Sequence, residues 1–98
     1  MSELNDRYGQ ASIYSNLGWI AHEQQQLDQA RDYLLQALEI FTAYEDVEAA
    51  SPVLFGLALL WQRSRDPNLL SDIASIFETP VEVVSSLLDF IVTNKSNK

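Results

Sequence analysis

The stretch YSNLGWIA, residues 14–21, places a glycine between two large apolar residues in a run that otherwise suits a helix. Glycine in a helix interior costs about 1 kcal/mol relative to alanine, so a neighbouring element must benefit from the missing side chain. Gly18 therefore raises the question of which neighbouring group uses the space that its missing side chain leaves.

The residues that follow have the spacing of that second helix. Apolar side chains recur at intervals of three and four, at Leu27, Ala30, Leu34, Ala37, Leu38 and Phe41. The chain has three glycines, three prolines and no strand-like alternation, and no flexible linker divides it. We predict one all-α domain, with a helix pair over residues 6–44 (helices 6–24 and 27–44), a helix over 46–65, a helical hairpin over 66–92 and a polar tail over 93–98.

Capping residues set these boundaries. Asp6 and Asp46 each precede a long apolar-periodic run, as N-cap residues do. Asp66 followed by proline predicts the start of a shorter helix that ends near Phe77. The sequence TPVE at residues 79–82 predicts the last helix, with Thr79 as N-cap, proline at the first helical position and a glutamate that completes a capping box.

Charge and composition exclude several classes of protein. Six basic and fourteen acidic residues give a net charge of −8, which would repel nucleic acid and anionic membrane surfaces. The chain has no cysteine, and its longest apolar run, Val53 to Trp61, is far shorter than the roughly 20 residues of a membrane span. We expect a cytoplasmic protein with no nucleic-acid or membrane partner.

The sequence also repeats itself weakly at an offset of 40 residues. The matched positions include Asp6 with Asp46, Leu17 with Leu57, and Gly18 with Ala58. The match fades after the first helix of the second copy, so there are about one and a half copies, as in a stack of helical repeats.

The first copy resembles a tetratricopeptide repeat. The signature positions are Tyr14, Leu17-Gly18, Ala30, Leu34 and Ala37. The resemblance is good over residues 11–44 and weak over 46–65; Thr42 replaces the closing proline of the motif, and Ala21 replaces a tyrosine. The period of 40 resembles the longer repeat variant of tandem arrays in scaffold proteins. The resemblance implies stacked helix pairs, in which Gly18 approaches Ala30 and Ala37 leaves room for the next helix.

The same resemblance implies a protein-binding site on the concave face of the stack. Trp19 points about 100° away from Gly18 around the helix, toward that face. The candidate binding residues are Ser15, Asn16, Trp19, His22 and Glu23 on the first helix, with Phe55, Leu59 and Arg63 on the equivalent face of the second copy. Trp19 has two open interpretations, a binding residue of the groove or part of the core, whereas Trp61 is interpreted as core or as a lid over the last helices.

Catalytic and metal-binding patterns are absent from the sequence. His22 is the single histidine and is interpreted as a solvated residue at a helix end. Asp28 and Asp32 lie one turn apart, where a favourable contact with the helix dipole explains them better than paired catalytic carboxylates. We expect no enzyme activity, no cofactor and no metal.

The C-terminal hairpin has a rival interpretation as a helix-turn-helix. Its second helix offers Glu82, Ser85, Ser86 and Asp89, and no lysine or arginine occurs from Pro67 to Val92, so binding of DNA is disfavoured. We instead predict a cap over the open end of the stack. Its apolar face would comprise Leu70, Ile73, Phe77, Val84, Leu87 and Leu88.

The sequence therefore predicts a non-catalytic protein-interaction module or the terminal part of a repeat scaffold, with a protein or peptide as partner. The alternatives are a structural array cap or oligomerisation unit without a ligand of its own and, less favoured, a degenerate helix-turn-helix protein. The first helix pair lacks an upstream neighbour, which suggests a homo-oligomer or further upstream repeats in a longer chain.

Overall fold

The computed structural model describes residues 3–96, with side chains described over 7–93. It is built from five helices: α1 (Glu3–Glu23), α2 (Leu27–Ala43), α3 (Val47–Ser64), α4 (Pro67–Phe77) and α5 (Val81–Ser96). No strand occurs among residues 3–96, and the all-α fold class is confirmed.

Three predicted helix starts differ in their outcome. Asp46 is the N-cap of α3, where its side chain accepts a hydrogen bond from the Ala49 N–H at 3.1 Å, as predicted. The prediction for Asp6 is wrong, because α1 begins at Glu3 and no glycine or proline interrupts the helix before Asp6. At the start of α4, Asp66 accepts a hydrogen bond from the Asn68 N–H at 2.9 Å.

The last helix begins one residue later than predicted. α5 starts at Val81, and the carbonyl of Pro80 accepts the N–H of Val84 at 3.3 Å. Pro80 therefore occupies the cap position that we assigned to Thr79. Proline tolerates this position because the first residues of a helix need no N–H donor for the helical ladder.

The connections between helices use left-handed residues that are not glycine. Gln25, Glu45, Arg65 and Glu78 have φ values of 62°, 55°, 53° and 55°. At the first turn, the N–H of Gln26 bonds to the carbonyl of Ala21 at 2.8 Å, the hydrogen bond that defines a Schellman motif. Gln25, Glu45 and Arg65 are spaced by 20 residues, and each follows the end of a helix.

The helices pack around one core, in chain order up to α3. α1 packs along α2 across a short turn, α2 packs on α3, and α1 also contacts α3. α4 packs on α2, whereas α5 packs on α3 and on α4. The largest fully buried side chains come from α2 to α5: Leu34, Leu38, Val53, Leu57, Leu69, Ile73, Val84 and Leu88.

The apolar face predicted for the hairpin is partly correct. Ile73, Val84 and Leu88 are fully buried, as predicted. Leu70, Phe77 and Leu87 are only half-buried, and Leu69 is buried in place of Leu70. The buried face of α4 is thus shifted by about one residue from the predicted face. α4 contacts α2 as well as α5, and a helix between two neighbours buries a wider face.

A pair of ionic contacts joins α4 to α2. Nη2 of Arg31 lies 2.8 Å from Oδ2 of Asp72, and Nη1 lies 3.6 Å from Oδ2 of Asp66. The hydrogen bond to Asp72 raises the pKa of the Arg31 guanidinium above its ordinary value. Because Asp66 also caps α4, Arg31 holds the start of the hairpin against the first helix pair.

Among residues 3–96, no helix is both long and apolar enough to cross a membrane.

Candidate functional site

Gly18 is buried on α1, where it faces Leu34 of α2. A Cβ atom at this position would lie 2.6 Å from Cγ and 3.3 Å from the backbone N of Leu34. The predicted close approach of the two helices is therefore confirmed. The three nearest atoms all belong to Leu34, one turn after the predicted neighbour Ala30.

A second glycine completes this contact. A Cβ atom at Gly56 on α3 would lie 2.9 Å from Cδ1 of Leu34. The Leu34 side chain thus lies between two glycines, one on each neighbouring helix. The sequence comparison missed this pair because an offset of 40 residues matches Gly18 with Ala58, two positions after Gly56.

Trp19 lies between α1 and α3 at the side of this contact. Its ring is half-buried and packs against the buried core. A Cβ atom at Gly56 would lie 3.3 Å from Cζ2 of the indole. The indole also lies 5.7 Å from the ring of His22 in an edge-on arrangement, and 6.1 Å from the ring of Phe55, between ring centroids.

The structure thus brings three of the predicted site residues into one aromatic cluster, Trp19, His22 and Phe55. The five others lie on the same two helices without taking part in the ring contacts: Ser15, Asn16 and Glu23 on α1, Leu59 and Arg63 on α3. Ser15 and Leu59 are half-buried, whereas the other three are exposed. The charged and amide groups are thus free to meet solvent or a partner.

The interpretation of His22 as a solvated residue is wrong. The residue is half-buried, its Nε2 atom is buried, and this atom has no hydrogen-bond partner among the described residues. The spacing of three residues from Trp19 explains the burial, because positions i and i+3 are neighbours on a helix surface. Trp61 is buried as core, as predicted, with the Arg65 guanidinium 5.0 Å above its ring.

A polar contact that the sequence did not indicate lies between α1 and the cap of α3. The Tyr8 hydroxyl donates to Oδ2 of Asp46, and the Tyr8 ring lies 5.4 Å from Phe41 and 5.3 Å from Tyr44, between centroids. This hydrogen bond, followed by the one from the Ala49 N–H, lowers the pKa of Asp46 below its ordinary value.

A mostly apolar cavity of about 370 Å³ begins at this cap. None of the eight predicted binding residues lines it. The lining residues are Phe41, Thr42, Glu45, Asp46, Val47, Ala50, Ser51, Leu54 and Phe77.

Comparison with known proteins identifies the first helix pair. Residues 1–43 match a family model described as tetratricopeptide repeat, and the match ends where α2 ends. Neither the curated proteins nor the solved structures gave a match. The resemblance of residues 11–44 is thereby confirmed, and the family suggests a protein-interaction module of a typically non-enzymatic kind.

Proposed function

We propose that this protein binds a peptide or a helix of another protein in the groove beside α1 and α3, a proposal that the match of residues 1–43 to a tetratricopeptide-repeat model supports. The binding is non-catalytic. The groove comprises the eight residues predicted above, with the aromatic cluster as its floor.

The half-buried indole of Trp19 is the observation that carries this proposal. One side of the ring packs on Phe55 and Gly56, which holds its orientation before a ligand arrives. A rigid tryptophan offers a large contact area at little entropic cost, which is why this residue is enriched among the energetically dominant positions of interfaces.

Polar residues around the indole supply directional contacts. Asn16 is exposed on α1, and an amide both donates and accepts hydrogen bonds, which suits the backbone of a bound peptide. Glu23 and Arg63 are exposed on the two helices and present opposite charges. The net charge of −8 favours encounter with a partner that carries positive charge.

The two tryptophans allow a direct test by nuclear magnetic resonance. A peptide selected from a random library against the protein is titrated into ¹⁵N-labelled protein, and the two indole N–H signals are followed. Trp19 faces the proposed groove and Trp61 is buried in the core, so we expect the Trp19 signal to shift and the Trp61 signal to stay in place.

Matched variants test whether the residues of the groove contribute to the affinity for the peptide. Asn16→Ala and Arg63→Ala remove exposed side chains and should weaken binding of the selected peptide about tenfold, with the helical circular dichroism unchanged. Gln36→Ala on α2 is the control and should leave affinity unchanged, since this exposed residue lies outside the groove. A peptide that leaves the Trp19 signal unmoved, or binds both groove variants as tightly as wild type, would contradict the proposal.

A further inference from the structure

α1 has a second face that no other helix covers. Ile13, Leu17 and Ile20 are exposed by 58%, 36% and 49%. These are large apolar side chains at spacings of four and three, so they line one side of the helix. Around the helix, Leu17 lies about 160° from Trp19, Ile13 about 120° and Ile20 about 100°, so this face is distinct from the side that carries Trp19, and Asn16 lies between the two.

The pattern along this face is that of a coiled-coil seam. Gln10, Ile13, Leu17, Ile20 and Gln24 alternate in steps of three and four, as a and d positions of a heptad do. The pattern is also nearly symmetric about Leu17. Two antiparallel copies of α1 with Leu17 against its own counterpart would place Ile13 within one residue, along the helix axis, of Ile20 of the second copy.

The charge distribution favours a second copy as the occupant. From Tyr8 to Ala21 the chain has no lysine, arginine, aspartate or glutamate, although its net charge is −8. Two copies of such an acidic protein repel each other where their carboxylates meet. The uncharged face of α1 lets them associate without bringing acidic groups into the centre of the contact.

We propose that two copies of this chain form a closed two-fold dimer through antiparallel pairing of their α1 faces, centred on Leu17. The interface is isologous, because the same patch is used on both copies. α1 is already ordered by its packing on α2, so association does not include the cost of forming the helix.

Sedimentation equilibrium of the complete chain tests the proposal. From about 1 to 100 µM we expect the mass to rise from that of one chain, 11.1 kDa, to twice that value and then to stop rising. If the mass stays at that of one chain at every concentration, the proposed dimer is wrong, and the exposed face of α1 binds another segment or partner. A mass that keeps growing indicates head-to-tail stacking, such as on the exposed Phe90 of α5, and equally overturns it.

Charge variants at the centre distinguish a self-contact from any other contact. Leu17→Glu and Leu17→Lys should each raise the dissociation constant at least about tenfold, because each places two like charges together. An equal mixture of the two variants should recover the dimer, since the opposite charges then meet. Recovery is specific to a residue that faces its own counterpart, so a mixture that stays monomeric overturns the proposed symmetry.

Two further variants keep the result interpretable. Val47→Glu alters an apolar side chain that is 76% exposed on α3, outside the interface, and should leave the dimer intact. Ile13→Glu should weaken it as Leu17→Glu does. The circular dichroism of each variant must match wild type, and a properly folded Ile13→Glu protein that dimerises normally overturns the assigned face.

Discussion

At the scale of single residues, Leu34 carries the contact that the opening glycine implied. The leucine is fully buried and lies between Gly18 on α1 and Gly56 on α3, so it sets how closely three helices approach. The sequence predicted that Gly18 provides space. It could not identify Leu34 as the neighbour, because Leu34 and Ala30 lie one turn apart on the same face and only the axial position of the two helices separates them.

The two glycines of α1 provide a matched test of this contact. Gly18→Ala should lower the free energy of unfolding by about 1–3 kcal/mol, because the added methyl group overlaps the Leu34 side chain and comes within 3.3 Å of its backbone N. Gly9→Ala should raise it by about 0.5–1 kcal/mol, since nothing lies within 4 Å of that position and alanine is the better helix former. Urea denaturation of both variants measures the difference. Equal effects would show that Gly18 provides no packing advantage.

At the scale of helices, most starts and ends followed local signals. Asp46 and Asp66 cap their helices because a carboxylate two or three residues before a free N–H can reach it without help from the rest of the fold. The predicted caps at Asp6 and Thr79 were wrong for local reasons. α1 extends upstream of Asp6, and Pro80 takes the cap position that Thr79 was predicted to occupy. The hydrogen bond between Tyr8 and Asp46 is different, because it joins residues 38 positions apart.

This hydrogen bond predicts how stability depends on pH. The pKa of Asp46 in the folded protein is below its ordinary value of 3.8, so the folded state binds a proton less readily than the unfolded state. The stabilisation is therefore complete above the ordinary value and is lost as the pH falls through the lowered pKa. Wild type should be more stable than Asp46→Asn near neutral pH, and the difference should vanish in acid.

Thermal unfolding of both proteins between about pH 7 and pH 2 measures this difference. Tyr8→Phe is the companion variant: it removes the donor, so the pKa of Asp46, followed by carboxyl ¹³C chemical shift, should rise toward the ordinary value. An Asp46→Asn protein that loses stability in parallel with wild type at every pH would mean that the carboxylate contributes nothing through its charge.

At the scale of the whole molecule, the hairpin is part of the core. α5 returns to pack on α3, and α4 is held on α2 by apolar contacts and by Arg31. Val84 on α5 is fully buried, while Val83 beside it is 53% exposed. The capping role of the hairpin remains a prediction.

Val83 and Val84 are neighbours on α5 that differ in burial. The same substitution at each therefore isolates the effect of burial, because the change in helix propensity and in net charge is the same. Val84→Asp should lower the free energy of unfolding by about 3 kcal/mol or more, because it buries an unpaired carboxylate against α3 and α4. Val83→Asp adds the same charge on the exposed side and should change stability by about 0.5 kcal/mol or less. Chemical denaturation of the two variants compares them directly. Similar losses would show that the two sides of α5 are equally important.

The sequence by itself determined the all-helical class, the resemblance of the first helix pair to a tetratricopeptide repeat, and the caps at Asp46 and Asp66. Each of these depends on periodicity or on hydrogen bonds within a few residues, which the order of residues specifies directly. Only the tertiary structure decided which side chain fills the space beside Gly18, that Trp19 packs beside Phe55, and that α5 packs on α3. These features depend on the axial shift and rotation of helices relative to one another, and those are set by the packing of side chains that lie 16 to 40 or more residues apart.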